Sequence, residues 1–481
     1  MSNATAPRMR NAIAWIGAGI AVIVATVWVS AYLGKPAPVV LTPPPGADST
    51  GSHQDLDIRR VTADIAAFAA TPSRATGSLG ARKATNHILA ALAGLGAKVE
   101  TYGVPIPVPV TESCVLSGEL GGDTVEIALY PLWPNLARTG QTPPEGLTGP
   151  LVDAGRGTEA ELEGRTIRDA LVVMDWDTDL EWLSVPEFGA KGVIFRANDS
   201  ATGYVARNKF VSMPADIPRY YVRQEDSAAL SRLLASAQPR ATIRCRSSWQ
   251  LAEGTNILAR INEGSEVAAD DPGALVFHAY YDSISVVPDL APGAEQACGA
   301  AVLLELGRYL AKTPSQRPVY LLFTSGHGQA LTGMMHFVTT LREQVDGEPA
   351  DTSAKQPLLA ELGRPALFVG LDLSSGSDQY GVFSIGHFRI QAEHKLRPIF
   401  SVLGSELDRY AQTVRGTPGE EGPRPGLVDC INLTRGRGWW TYFPYPAPFE
   451  SEIPVMAGFP GITLATINDD RRYVDTPGDR L

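Results

Sequence analysis

Histidine is scarce in this sequence: 7 in 481 residues, and none after His394. No imidazole ligand is therefore available from the C-terminal stretch beyond it. Cysteine is scarcer still. Cys114, Cys245, Cys298 and Cys430 are all there is, and no two stand in C-x-x-C spacing. That argues against a zinc ribbon or finger. No long basic run occurs, and 41 basic against 52 acidic residues leave a net charge of -11. Nucleic acid is then not the main partner, because phosphate binding needs a clustered positive face. Charged residues make up only 19% and hydrophobic ones 44%, which excludes global disorder and allows sizeable cores. The length exceeds that of one ordinary domain.

What is present begins with a long apolar run. Residues 13–33 carry no charge and suffice to span ~30 Å of hydrocarbon as a helix. Trp15, Trp28 and Tyr32 lie near its ends, where amphipathic rings favour the interface. Arg8 and Arg10 precede it and only Lys35 follows closely. The positive-inside rule makes residues 1–12 a cytoplasmic tail and the rest extracytoplasmic. The expectation is a single-pass cell-membrane anchor. A signal peptide cleaved near Val29-Ser30-Ala31 is the competing reading. Residues 34–54 form a linker, stiff at Pro36, Pro38, Pro43, Pro44 and Pro45 and looser beyond Gly46.

The body starts with two helical segments, 55–70 and 81–95, followed by a strand-like stretch, 97–110. Residues 111–249 differ in character, with short strands and frequent turns. Cys114 and Cys245 stand near the two ends of this region. Either they close its neck as a disulfide or all four cysteines are buried thiols. From residue 250 onward apolar strands alternate with helices. Strands are expected at 256–261, 274–279, 318–324, 366–373 and 461–466, and helices at 300–311, 330–341 and 394–410. This pattern predicts an α/β fold with a mostly parallel sheet flanked by helices. Ligands of such sheets bind at the carboxyl ends of the strands, where Tyr280, Asp282 and Asp372 fall.

Five blocks carry a resemblance. They are Ala279-Tyr280-Tyr281-Asp282-Ser283, the stretch 293–299, His327-Gly328-Gln329-Ala330-Leu331, Leu371-Asp372-Leu373, and Val474-Asp475-Thr476-Pro477. In this order they resemble the di-zinc aminopeptidase and glutamate carboxypeptidase-like peptidases of clan MH. The resemblance covers 55–110 and 250–481. The insert 111–249 is similar to a β-rich protease-associated domain through Ala170-Leu171-Val172-Val173-Met174-Asp175 and Gly189-Ala190-Lys191-Gly192-Val193-Ile194. The resemblance implies metal-ligand positions at Tyr280, Glu295, Gly328, Asp372 and Asp475, and a catalytic base at His327. Glu295 is reached by counting back from Gly299 through a loop one residue shorter than the family pattern.

The residues at these positions suit zinc chemistry poorly. Two zinc ions need imidazole and carboxylate ligands with an open position for water. A Tyr280 phenol titrates near ~10, and Gly328 has no side chain. The expectation is a catalytically degenerate scaffold, with no zinc and no catalytic residue, whose cleft binds a peptide or protein partner. The alternative is an active metallo-aminopeptidase or carboxypeptidase that draws unusual ligands from His278, His327, His336 or His387. Glu295, Asp372 and Asp475 are the possible residual ligands, suited to a hard cation. Asp282 is expected to bond a hydroxyl or a backbone amide. The Asp469-Asp470-Arg471-Arg472 run reads as local loop salt bridges.

Overall fold

The computed structural model describes residues 56–481, apart from 199–201, 211–215, 263–272, 314, 316, 348–355, 389–395, 415–425, 432–437 and 444. The tail, the apolar run at 13–33 and the linker lie outside the described residues. Among the described residues, no helix is long and apolar enough to cross a membrane.

Two helices open the body, α1 (Ile58–Ala69) and α2 (Leu79–Gly94). Each start is set by a capping side chain: Asp57 accepts from Arg59 N, and Ser78 accepts from Ala81 N. Gly96, at φ 69°, ends the second. The chain then forms β1 (Lys98–Leu120), β2 (Asp123–Ala128) and β3 (Tyr130–Pro131). Four strands follow, β4 (Leu147–Asp153), β5 (Leu171–Asp175), β6 (Gly192–Arg196) and β7 (Arg219–Val222), with the short helix α3 (Gly203–Arg207) before the last. β8 (Arg240–Asn262) returns to the body, which continues with β9 (Leu275–Tyr280), α4 (Cys298–Leu310), β10 (Val319–Thr324), α5 (Thr332–Val345) and β11 (Leu367–Asp372). β12 (Gln379–Phe383), α6 (Arg397–Val414), β13 (Gly426–Asp429) and β14 (Gly461–Ile467) complete it.

The centre of the body sheet is parallel, in the order β14-β11-β9-β10. β12 runs antiparallel to β14, and β8 antiparallel to both β10 and β1. The sheet is therefore mixed, and "mostly parallel" holds for its centre alone. On the β8 edge the antiparallel pairing comes with the insert, which the chain enters on β1 and leaves on β8. These two strands pair antiparallel along nearly their whole length, with one bulge between Thr111 and Ser113. Positions 110/111 and 249/250 fall inside them, so body and insert share one sheet. The insert itself is α/β, with β4-β5-β6-β7 parallel, rather than simply β-rich.

Alternation along β10 feeds two cores. Leu321 and Phe323 pack with Ile88, Leu92, Leu303 and Leu304 on one face. Tyr320 and Leu322 pack with Phe337, Leu341 and Phe368 on the other. Each such side chain contributes about 1.5–3 kcal/mol on burial. Gly299 lets α4 approach β11, because a Cβ there would lie 2.4 Å from the Leu371 carbonyl. The insert's core around Trp176, Trp182 and Phe195 also takes in Val286, Val287 and Leu290 of the body. Trp133 N donates to Val286 O at 2.7 Å. The insert thus grips the loop that follows Asp282.

Candidate functional site

A cavity of about 310 Å³ opens where β9, β10 and β11 end, and Tyr280, Gln296, His327, Gly328, Asp372, Arg471 and Asp475 line it. The insert adds Arg207 and Phe210. Its floor is fixed from a distance. Arg74, fully buried in the loop after α1, donates to the carbonyls of Tyr281 (2.8 Å), Pro292 (2.6 Å) and Gly293 (2.6 Å). Asp282 accepts from the Thr76 hydroxyl (2.5 Å) and from Gly326 N (2.7 Å), both of the expected kinds.

Asp372 is engaged by Arg471. Nη1 donates to Asp372 Oδ1 at 2.6 Å and Nη2 to the Asp372 carbonyl at 2.9 Å. Burial alone would lower the Arg471 pKa, but Asp372 outweighs it and raises the value far above the usual range. Arg471 is 7% exposed and its partner Asp372 ends β11, so the reading of purely local loop salt bridges is corrected. The loop after β14 turns it inward, with Asp469 Oδ1 accepting from Arg471 N at 2.9 Å.

Asp475 accepts from Gln296 Nε2 at 3.0 Å and pairs with Arg207 Nε at 3.4 Å. Burial raises its carboxyl above the usual range, against the pull of Arg207. Glu295 points elsewhere, accepting from Ser375 N (2.9 Å) and Ser375 Oγ (2.5 Å). It is Gln296 that enters the cleft, one position beyond the residue reached by counting.

Tyr280 stacks on His327, ring centres 3.7 Å apart. Burial and then Asp372 push its phenol well above the ordinary value. Behind the stack sits Glu450, which the sequence reading passed over. Its carboxylate accepts from Thr324 Oγ1 at 2.6 Å and lies 3.5 Å from His327 Nδ1 and 3.6 Å from His278 Nδ1. Burial opposes its ionisation, yet the two histidines prevail and hold it at about 2. His327 is raised in turn, because Glu450 outweighs its burial. His278 is buried and also meets Ser451 Oγ at 3.1 Å. His387 lies against Trp439, and His336 is on α5. Of the four histidines considered, His327 alone lines the cleft.

A di-zinc centre does not fit these residues. Asp372 is bonded to a guanidinium, Asp475 to an amide and a guanidinium, and the remaining positions offer a phenol, a carboxamide and a glycine. Among the described residues, no three His, Cys, Asp or Glu side chains form a metal-holding group. Nor does Gly328 leave room for a ligand, since a Cβ there would lie 2.7 Å from Ile284 Cδ1. His327, paired and stacked, is not placed as a free base.

Part of this scaffold is similar in sequence to known proteins. Residues 256–415 match peptidase family M28. That stretch of the α/β body is similar to the M28 peptidases. Aminopeptidase YwaD of Bacillus subtilis (strain 168) is 27% identical over 217 residues, 43% of this chain and 44% of that protein. The match therefore spans less than half the length of that relative. The fold is similar to BSAP, a zinc aminopeptidase from Bacillus subtilis, at 17% identity and a TM-score of 0.52, covering 88% of this chain and 89% of that one. A second, medium-resolution BSAP structure gives 18% identity and the same TM-score of 0.52, covering 88% and 90%.

Arg207, Gln296 and Glu450 are residues that sequence reasoning missed, and Arg471 was given a different role. Arg471 carried one usable signal, its place in the loop directly after the last strand of the parallel centre. For Arg207, in the insert, there was none.

Proposed function

We propose that the chain is a membrane-anchored, extracytoplasmic M28-type binding module that does not hydrolyse peptides by zinc chemistry. The Arg471–Asp372 pair carries this reading, because it places a fixed protein cation on the carboxylate that the resemblance assigns to metal. Binding of a peptide or protein segment is supported by the cavity and by its polar lining. Arg207 Nη2, Arg471 Nε and the Tyr445 hydroxyl, from three lining residues, are buried and have no hydrogen-bond partner among the described residues. Each is a donor available to an incoming ligand. The insert acts as a protease-associated wall of the cleft through Arg207.

The test is hydrolysis of aminoacyl and peptide amides by the full chain in detergent, with added zinc and with chelator. No turnover above background is expected in either. A second reading, an active exopeptidase with unusual ligands, is favoured by His327 sharing the cleft with Asp372. It requires chelator-sensitive activity that falls on Asp372→Ala.

A further inference from the structure

Cys114 and Cys245 are partners in register on β1 and β8, and both are buried. Their backbones show which kind of pair they form. Cys245 donates its N–H to the Thr142 hydroxyl at 3.1 Å, and its carbonyl accepts from Thr142 N at 3.0 Å. The Cys114 carbonyl accepts from Leu129 N at 3.0 Å, at the start of the segment after β2. These backbone groups are turned outward rather than toward each other, the pattern of a non-hydrogen-bonded antiparallel pair. In such pairs the Cα atoms are about 4.5 Å apart and the side chains approach most closely. Disulfides bridge Cα separations of about 4.4–6.8 Å. Both cysteines are free thiols in the structure, and burial, then the neighbouring Cys245 thiol, raise the Cys114 pKa far above its usual value.

We propose that Cys114 and Cys245 are a site of disulfide formation, a cross-strand staple at the root of the insert. One thiol loses its proton and attacks the S–S bond of an oxidant, either a small-molecule disulfide or the disulfide of an oxidising protein. A mixed disulfide forms and one oxidant thiolate leaves. The second cysteine loses its proton, attacks the mixed disulfide and displaces the other oxidant thiolate. Two S–H bonds break, one protein S–S bond forms, and two electrons leave as the oxidant's two thiols.

The site has no competitor among the four cysteines. Cys298 lies on α4 with its thiol toward Ala294 O at 3.8 Å, and Cys430 packs beside Phe383 and Phe443. The staple has a structural purpose. It falls just past the bulge between Thr111 and Ser113, where a slip of one residue would turn every side chain of the insert's first strand to the wrong face. It also closes a loop of about 130 residues, a long constraint on the unfolded chain. The reactive species is the thiolate, so a Cys114 thiol held neutral by burial reacts before β1 and β8 close, and the finished bond is shielded afterward. This inference rests on the proposed extracytoplasmic placement and not on the cleft's function.

The experiment is a cysteine map of the full chain, made in an exporting host and purified in detergent. The protein is denatured, alkylated without reductant and digested for mass spectrometry. Alkyl label on Cys298 and Cys430 is expected, with the Cys114 and Cys245 peptides linked and two hydrogens lighter. Reductant should open the link in denaturant and not under native conditions. The variant Cys114→Ala with Cys245→Ala should melt on the order of 5 °C lower. Label on all four cysteines, or a link involving Cys298 or Cys430, overturns the proposal. The wild-type map reads out the bond whether or not the variant folds.

Discussion

Arg471 bonds Asp372 twice, at 2.6 Å through the carboxylate and at 2.9 Å through the main-chain carbonyl. The first contact neutralises the acid at the end of β11, and the second fixes the guanidinium in one orientation. The loop beyond β14 thereby sets an arginine on the carboxylate that the resemblance assigns to metal. The pair is nearly desolvated, with side chains 7% and 12% exposed, so removing one partner should be felt strongly.

Arg471→Ala leaves a buried carboxylate without compensation, and it should destabilise the protein by about 3–5 kcal/mol. Asp372→Asn should cost a comparable amount, and the double variant less than the sum. Urea unfolding of the three variants checks this. Additive losses would mean that the contact is not an energetic unit.

Rebuilding the family pattern should fail for a nameable reason. Tyr280→His, His327→Glu, Gly328→Glu and Asp475→His supply ligand types, but a side chain at 328 meets Ile284, and Arg471 still holds Asp372. Adding Ile284→Ala, Gln296→Asp and Arg471→Ala should tighten zinc binding about 10-fold or more. Competition against a chromophoric chelator measures it. Equal affinity in both variants would show that neither obstacle matters.

Stability should fall between about pH 5 and pH 7. Burial pushes Asp479 from 3.8 up to about 7. Its contribution is therefore full below 3.8 and lost as pH rises through 7. His327 is raised above 6.5, so its contribution is likewise full below that value and lost above the folded value. Glu450 is lowered from 4.5 to about 2, and its contribution is lost on the acid side, between those two values. Melting temperature against pH should thus peak on the mildly acidic side, and Asp479→Asn should flatten the fall toward neutrality. A curve that rises from pH 5 to 7 would contradict the assignment.

Arg74→Met keeps much of the apolar stem and removes the guanidinium. Three buried carbonyls, of Tyr281, Pro292 and Gly293, lose their donor. The loss should be about 3 kcal/mol or more, seen as a lower urea midpoint. A change under about 0.5 kcal/mol, the level of an ordinary surface substitution, would mean that water replaces the guanidinium at no cost.

The strands at 256–261, 274–279, 318–324, 366–373 and 461–466 were legible because each is a short apolar run bounded by breakers, and all five appear as strands in the sheet. The helices before and after β10 were legible by their period. The cleft was less so. Counting back from Gly299 cannot tell which side of a one-residue deletion the shift falls on, and Gln296 rather than Glu295 turned inward. Arg471 and Glu450 are placed by long-range packing, 99 residues from Asp372 and 126 from Thr324. No local pattern encodes such distances. The mixed sheet was hidden for a related reason, since the antiparallel partners β1–β8 and β12–β14 lie far apart in the sequence.

The central claim is that Arg471 and not zinc accompanies Asp372. Elemental analysis of the purified full chain, after dialysis against buffered zinc, tests it most directly. The account predicts no stoichiometric zinc in the wild-type protein. One or two tightly held zinc ions per chain, lost on Asp372→Ala, would contradict it.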